Sequence, residues 1–361
     1  MSGYLQMRYN RLLETNPDLN CEQCDKSWGK NNGFFFRRAR FKLAGHLTER
    51  VYFYFQTDFA SVASANNLHF AQIRDAYVDL GLDKKNAFRV RLGQSKIPFG
   101  FENLQSSQNR LPLDRNDALN SAMPNERDLG VFLMYAPPAI QARFAELIKS
   151  GLRGSGDYGV VSFGAFNGQT PNKLETNDNL HIVGRVSYPF KLNNGQFIEP
   201  GIQAYTGKFN LPSTSKNVRG TEGFLYDDRR VAASLVVYPQ PIGFQAEYNI
   251  GKGPQYNPTL DSIELSSLKG GYVMLHYATR IKNQPVSPFI RYQFYDGGKK
   301  HELDARRYVV RDWEFGLEWQ LNKFIEINAT YTVSDRRYED EARPVNHQTG
   351  KLLRLQLQVN Y

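Results

Sequence analysis

Leu353-Arg354-Leu355-Gln356-Leu357-Gln358-Val359-Asn360-Tyr361, the stretch that follows Gly350 and Lys351, alternates without a break between apolar and polar residues and ends on an aromatic. A period of two puts the leucines and the valine on one face of an extended strand and the polar side chains on the other. One such strand could close a soluble sandwich. Here the pattern recurs about sixteen times along 361 residues.

The segments are Tyr4–Leu12, Phe34–Gly45, Arg50–Phe59, His69–Leu80, Phe88–Lys96, Gly130–Ala136, Gly159–Asn167 and His181–Phe190. The second half supplies Phe197–Thr206, Arg229–Tyr238, Gly243–Ile250, Gly271–Thr279, Pro288–Tyr295, Val309–Leu321, Phe324–Val333 and Lys351–Tyr361. Most are close to the roughly 9–11 residues that a tilted strand needs to cross a bilayer. No apolar run approaches the roughly 20 residues of a membrane helix, but that excludes only helical spans. Connections alternate in length. Leu47–Glu49, Asp83–Asn86, Asn193–Gly195, Pro239–Pro241, Arg280–Gln284 and Asn322–Lys323 are tight, whereas Glu14–Asn32, Asn172–Asn179, Lys208–Asp228, Pro254–Lys269 and Asp335–Thr349 are long and polar. Short turns at one end and long loops at the other are the layout of an outer-membrane barrel, with both termini at the short-turn end. Pro137–Tyr158 breaks this rule, and its Ile140–Lys149 stretch has the composition of a short helix.

The fold expected is therefore all-β: one transmembrane antiparallel β-barrel of about sixteen strands over residues 1–361, with the loop at about 97–128 folded inward. A sandwich would hide one face per strand equally well, but its strands need not match membrane length. A propeller would show a repeated unit, and none is present. Alternation also assigns faces. Trp313, Phe315, Leu317 and Trp319 oppose Asp312, Glu314 and Glu318, and Ile325, Ile327 and Tyr331 oppose Glu326, Asn328 and Thr332. Arginine placed at outward Leu355 should then destabilise the barrel, while inward Gln356 should accept it.

The net charge of +9 suits an anionic partner, but the basic residues are spread over strands rather than gathered on a helix, which speaks against nucleic acid. Parity turns Arg8, Arg38, Arg40, Lys42, Arg89, Arg91, Arg185, Arg230, Arg291 and Arg354 inward. Arg38, Arg40 and Lys42 share a face at a rise of about 6.5–7 Å between neighbours, and Arg89 and Arg91 continue the pattern on the fifth segment. Such a file offers an anion successive partners without trapping it, which is what conduction requires. Inward carboxylates are available to pair with these cations: Asp58, Asp75, Asp79, Glu199, Glu247, Glu314, Glu318 and Glu326. The basic residues concentrate early and several acids late, which would set a transverse field across a pore. The 97–128 loop holds three arginines (Arg110, Arg115, Arg127) against five carboxylates, a net of −2.

Catalysis finds little support. Six histidines are dispersed, no G-x-S-x-G occurs, and no histidine pair has metal-ligand spacing, so neither a cofactor nor a metal is expected. Cys21 and Cys24 form a lone C-x-x-C in a polar loop. Without a second ligand pair this reads as a loop disulfide in an oxidising compartment, with two free thiols as the alternative. No signal-peptide pattern precedes Ser2, so an exported protein would be represented in mature form.

Four motifs carry a family resemblance. Phe34-Phe35-Phe36-Arg37-Arg38-Ala39-Arg40-Phe41 with Gly45, and Ala76-Tyr77-Val78-Asp79, resemble segments of the phosphate-selective porin O and P family. Arg91-Leu92-Gly93-Gln94-Ser95-Lys96-Ile97-Pro98-Phe99-Gly100-Phe101-Glu102 is similar to its R-x-G-Q-x-K-x-P-F-G-x-E, and Arg127-Asp128-Leu129-Gly130-Val131 to its R-D-x-G-V. The resemblance implies a homotrimeric channel in the outer membrane of a Gram-negative cell, surrounded by its lipid, that draws small inorganic anions such as phosphate down an arginine ladder. Tyr361 looks like the terminal aromatic that barrel assembly reads. By motif, Arg38, Arg40, Arg91 and Lys96 inherit ladder and constriction roles, and Arg115 and Arg127 match positions of the inward loop. The pathway expected is Arg38, Arg40, Lys42, Arg89 and Arg91, with Lys96, Arg115 and Arg127 at the constriction. The net-acidic loop, with no lysine after Lys96, departs from the family pattern. The other readings are a weakly selective general porin with mutually paired charges, and a surface binding or adhesion barrel.

Overall fold

The fold is that of a computed structural model, which describes residues 1–19, 21, 28, 32–61, 70–339 and 346–361. Sixteen strands run antiparallel in chain order: β1 (Ser2–Leu12), β2 (Gly33–Thr48), β3 (Val51–Ser61), β4 (Phe70–Gly81), β5 (Phe88–Lys96), β6 (Arg127–Tyr135), β7 (Val161–Phe166) and β8 (His181–Ser187) come first. There follow β9 (Phe197–Asn210), β10 (Leu225–Val237), β11 (Ile242–Asn257), β12 (Ser262–Tyr277), β13 (Gln284–Gly298), β14 (Arg307–Gln320), β15 (Ile325–Tyr338) and β16 (His347–Asn360). Two short pieces, Phe190–Lys191 and Thr279–Ile281, prolong β8 and β12 along the same partners. The sheet closes where β1 pairs with β16 in a register running from Tyr4↔Asn360 to Leu12↔Leu353. Closure leaves no sheet edge to pair with another chain.

Burial follows the alternation with its sense inverted relative to a soluble protein. Trp313, Phe315, Leu317 and Trp319 are exposed on the outer wall, while Asp312, Glu314, Glu318, Arg291 and Arg354 are buried in the lumen. Leu355 points outward, so Leu355→Arg is expected to lower barrel stability by about 2–4 kcal/mol, read from the unfolding midpoint in detergent; an unchanged midpoint would refute the face assignment. The expectation that Gln356 would accept arginine needs correction. Its Oε1 accepts Arg8 Nε at 2.7 Å, so a cation there would meet another cation in a filled part of the lumen.

The strands extend beyond the alternating core at the loop end. Pro254–Lys269, expected as a loop, is mostly ladder: β11 and β12 pair from Ile242↔Tyr277 to Asn257↔Ser262. Tyr256 and Ile263 pack there with Val218, Tyr226 and Ala305. Past the bilayer the outer face meets water, so the apolar–polar contrast that marks a spanning strand fades. In contrast, β7 and β8 are shorter than expected, at 6 and 7 residues. His69 and Cys24 lie outside the described residues; Cys21 is disulfide-bonded.

Pro137–Tyr158 contains α3 (Pro138–Lys149) at the terminal end of the barrel. Pro138 suits the first helical turn, and Ile140, Phe144 and Leu147 recur at helical spacing and are buried. Gly151 at φ 73° and Gly156 at φ 101° then turn the chain back into the lumen.

Candidate functional site

The connection between β5 and β6 fills much of the lumen with α1 (Phe101–Leu104) and α2 (Asp117–Ala122). Gly100 starts it at φ 84°, where a Cβ would lie 2.4 Å from Leu119 Cδ2. Its apolar side, Ile97, Phe99, Leu119, Ala122 and Met123, packs on Phe132, Phe166, Val183, Tyr205 and Ala232 of β6–β10. Its acidic side is fastened to cations of the wall. Glu102 meets Arg291 at 2.7 Å, Asp114 meets Arg8 at 3.3 Å and also Arg354, and Asp117 meets Lys299 at 2.6 Å and Arg336 at 2.9 Å. Burial alone would raise the pKa of Asp117, yet Arg336 and Lys299 bring it down to about 2. Glu102, Asp114 and Asp117 of the net-acidic loop are thus anchors that tie it to cations of the barrel.

Glu126, at the other end of the loop, gathers cations. Arg115 lies 2.9 Å away, Arg127 2.5 Å, Arg110 3.8 Å and Lys96 3.9 Å. Burial works against its ionisation, but Arg115, Lys96, Arg127 and Arg110 outweigh it and hold the carboxyl well below the usual carboxylate range. Nothing in the sequence pattern marked Glu126 as a hub, although it directly precedes the R-D-x-G-V motif.

The predicted cations divide. Arg40, Arg91, Lys96 and Arg127 line one cavity of about 320 Å³, with Tyr52, Tyr54, Tyr77, Tyr158 and the carboxylates of Asp75 and Asp157. Arg40 Nε donates to Asp58 at 2.9 Å, and Arg91 holds Asp79 through two bonds of 2.7 and 2.8 Å with its guanidinium 3.9 Å from the Tyr77 ring centre. Arg127 Nε donates to Asp75 at 2.9 Å, and Lys96 Nζ donates to the carbonyls of Gln105 at 2.6 Å and Leu104 at 3.2 Å. Lys42 lines an adjoining cavity of about 250 Å³ at the terminal end, with Glu326, Asn360 and Tyr361. Gln56 and Ile148 line both. Arg38 bonds Gln6 at 2.8 Å, Arg89 pairs with Asp157 at 2.7 Å and Arg115 holds Asn103 at 2.7 Å; none of the three lines the cavity.

The two signs of charge are not segregated as the sequence suggested. Glu314 is taken by Arg291 and Arg354, Glu318 by Arg153, and Glu247 accepts the amides of Phe101 and Glu102. The strap after α3 is the element that sequence reasoning missed. Leu147 joins Phe101, Phe197, Val236 and Tyr238 in one cluster, and Arg153 reaches Glu318 and, at 2.9 Å, the Asn109 carbonyl. Its glycine-rich run from Gly151 to Gly159 was the available signal.

A closed antiparallel barrel with a polar lumen narrowed by an inner loop is the architecture of an outer-membrane channel. The model of the phosphate-selective porin O and P family matches residues 16–361, and the chain belongs to that family. Its fold is similar to the outer membrane channel DcaP of Acinetobacter baumannii at TM-score 0.60 and 14% identity, covering 100% of this chain and 95% of that one. Also similar are the outer membrane protein OmpT of Vibrio cholerae in its trimer form (TM-score 0.57, 9% identity, 100% and 98% covered) and an anion-selective porin from Comamonas acidovorans (TM-score 0.56, 11% identity, 100% and 98% covered). No curated protein matches the sequence significantly.

Proposed function

We propose that this chain is a passive diffusion porin of a Gram-negative outer membrane, trimeric, with a preference for small anions. The observation that carries the reading is that four cations, Arg40, Arg91, Lys96 and Arg127, line one cavity against two carboxylates, Asp75 and Asp157. Each of the four already has a fixed carboxylate or carbonyl partner, so an entering anion finds attraction without a vacant cage. Phosphate would then pass as one anion among others rather than dwell at a tight site. Lys42 continues the file from Arg40 into the adjoining cavity, and Arg115 acts by fixing Glu126 rather than by meeting the ion. With a Debye length of about 8 Å at physiological salt, only charges this close to the path count.

The zero-current potential in planar bilayers under a KCl gradient tests the reading, repeated with added phosphate. Chloride preference with little block by phosphate is the expected result. A potential near zero would favour a general porin, a reading supported by how thoroughly the lumen charges are paired.

Gln56 offers a cleaner probe than the arginines, because it lines both cavities and substitution there breaks no ion pair. Gln56→Glu should lower the chloride preference and Gln56→Arg should raise it. If neither moves the potential, these cavities are not the path.

A further inference from the structure

On the outer wall, β8 to β12 enclose a depression of about 700 Å³. Strand register arranges its outward residues in two rows. Gly184, Ala204, Val231, Ile250 and Lys269 are successive cross-strand partners, and the row nearer the loops is Ile182, Thr206, Arg229, Lys252 and Ser267. Gly184 and Ala204 keep the floor low: a Cβ on Gly184 would meet only Phe163 Cδ2 at 4.0 Å. Ile182, Val231 and Ile250 form exposed apolar walls.

The cations are the anomaly. Arg229 stands directly opposite Lys252, and Lys269 is the neighbour of Ile250 in the adjacent row. Like charges at facing cross-strand positions repel, and none of the three makes an ion pair among the described residues. The nearby acids do not serve them. Asp227 faces Lys208, and Asp296, the partner of Lys269, is bound by Arg307 at 3.0 Å. Neither acid lines the depression.

We propose that this depression binds a phosphorylated lipid of the outer leaflet, with its phosphate on Arg229, Lys252 and Lys269 and one acyl chain along Gly184 and Ala204. A guanidinium and two ammonium groups match a phosphate in charge and donor number, and the anion removes the Arg229–Lys252 repulsion. The cations lie at the loop end of an apolar strip, where headgroups meet water. The inference rests on placing the barrel in an outer membrane, not on its ion selectivity.

The test uses purified full-length protein in detergent with lipid A, dephosphorylated lipid A or inorganic phosphate, counting bound lipid by native mass spectrometry. The variant Arg229→Gln/Lys252→Gln/Lys269→Gln is compared with wild type and with Lys323→Gln at the opposite end. Lipid A affinity should fall on the order of a hundredfold in the triple variant, the loss of three cations at the headgroup layer, and stay unchanged in Lys323→Gln. Inorganic phosphate should not displace the lipid from wild type. Equal retention by the triple variant, or equal binding of the dephosphorylated lipid to wild type, would overturn the proposal. So would a change of oligomeric state without a change in lipid binding, which would make the face a contact between copies. An unaltered zero-current potential in the variant shows that its channel is intact, which separates failure here from failure of the anion reading.

Discussion

Replacing residues 137–158 with a two-residue turn is expected to raise single-channel conductance several-fold. Tyr135 and Val161 are cross-strand partners, so a tight turn can join β6 and β7 directly. The wild-type segment instead enters the lumen. Ile148 lines both cavities, the Gln105 side chain donates to the Arg153 carbonyl at 2.7 Å, and Arg153 itself spans to Glu318 on β14. The inner loop packs on β6–β10 and is fastened by ion pairs to Arg291, Arg336, Arg354 and Arg8, while the larger of the two cavities lies along β2–β5. Conductance through a water-filled pore follows its narrowest section, so removing the strap that borders both cavities should widen it. Arg153→Ala is the milder version: it frees the strut while leaving α3 in place, and should give an intermediate, noisier open level. If both variants conduct like wild type in planar bilayers, the strap does not border the ion path.

The largest stability effect is expected from Arg291→Met. Arg291 is fully buried; it meets Glu102 at 2.7 Å, donates through Nε to Glu314 at 2.6 Å and through Nη2 to the Asp114 carbonyl at 2.9 Å. It therefore joins the wall to both ends of the inner loop's first half. Removing one partner of a buried ion network costs about 3–5 kcal/mol, because the carboxylates left behind have been stripped of water. Glu102 keeps Asn116, and Glu314 keeps Arg354, which places the expectation within that range rather than above it. Arg291→Lys should recover little, since an ammonium cannot satisfy two carboxylates and a carbonyl in one plane. The thermal midpoint of the folded form in detergent is the measurement. A shift equivalent to less than about 1 kcal/mol, the range of an exposed pair, would mean the network is not structural.

How far the lumen could be read in advance is seen at single residues. Parity placed Arg40 and Arg91 on the inner face, and both line the cavity. The same parity placed Arg38 and Arg89 there, yet these sit above and below it on partners of their own. Alternation reports a face and nothing about height or distance, so it could not separate the two pairs. The motif around Lys96 located the start of the inner loop, but Glu126 became a four-cation hub only because the loop returns beside its own beginning. Arg153 showed nothing in one dimension, since its partner Glu318 is 165 residues away.

By itself the sequence determined the closed barrel, the assignment of faces and the inward loop, because a bilayer outside and water inside force opposite chemistry onto successive residues. Which cations line a cavity, which are neutralised, and where the inner loop and strap are fastened were decided only by tertiary structure. Those depend on long-range pairings through a common interior, and buried charges must be satisfied by whatever partner the closed barrel brings within reach.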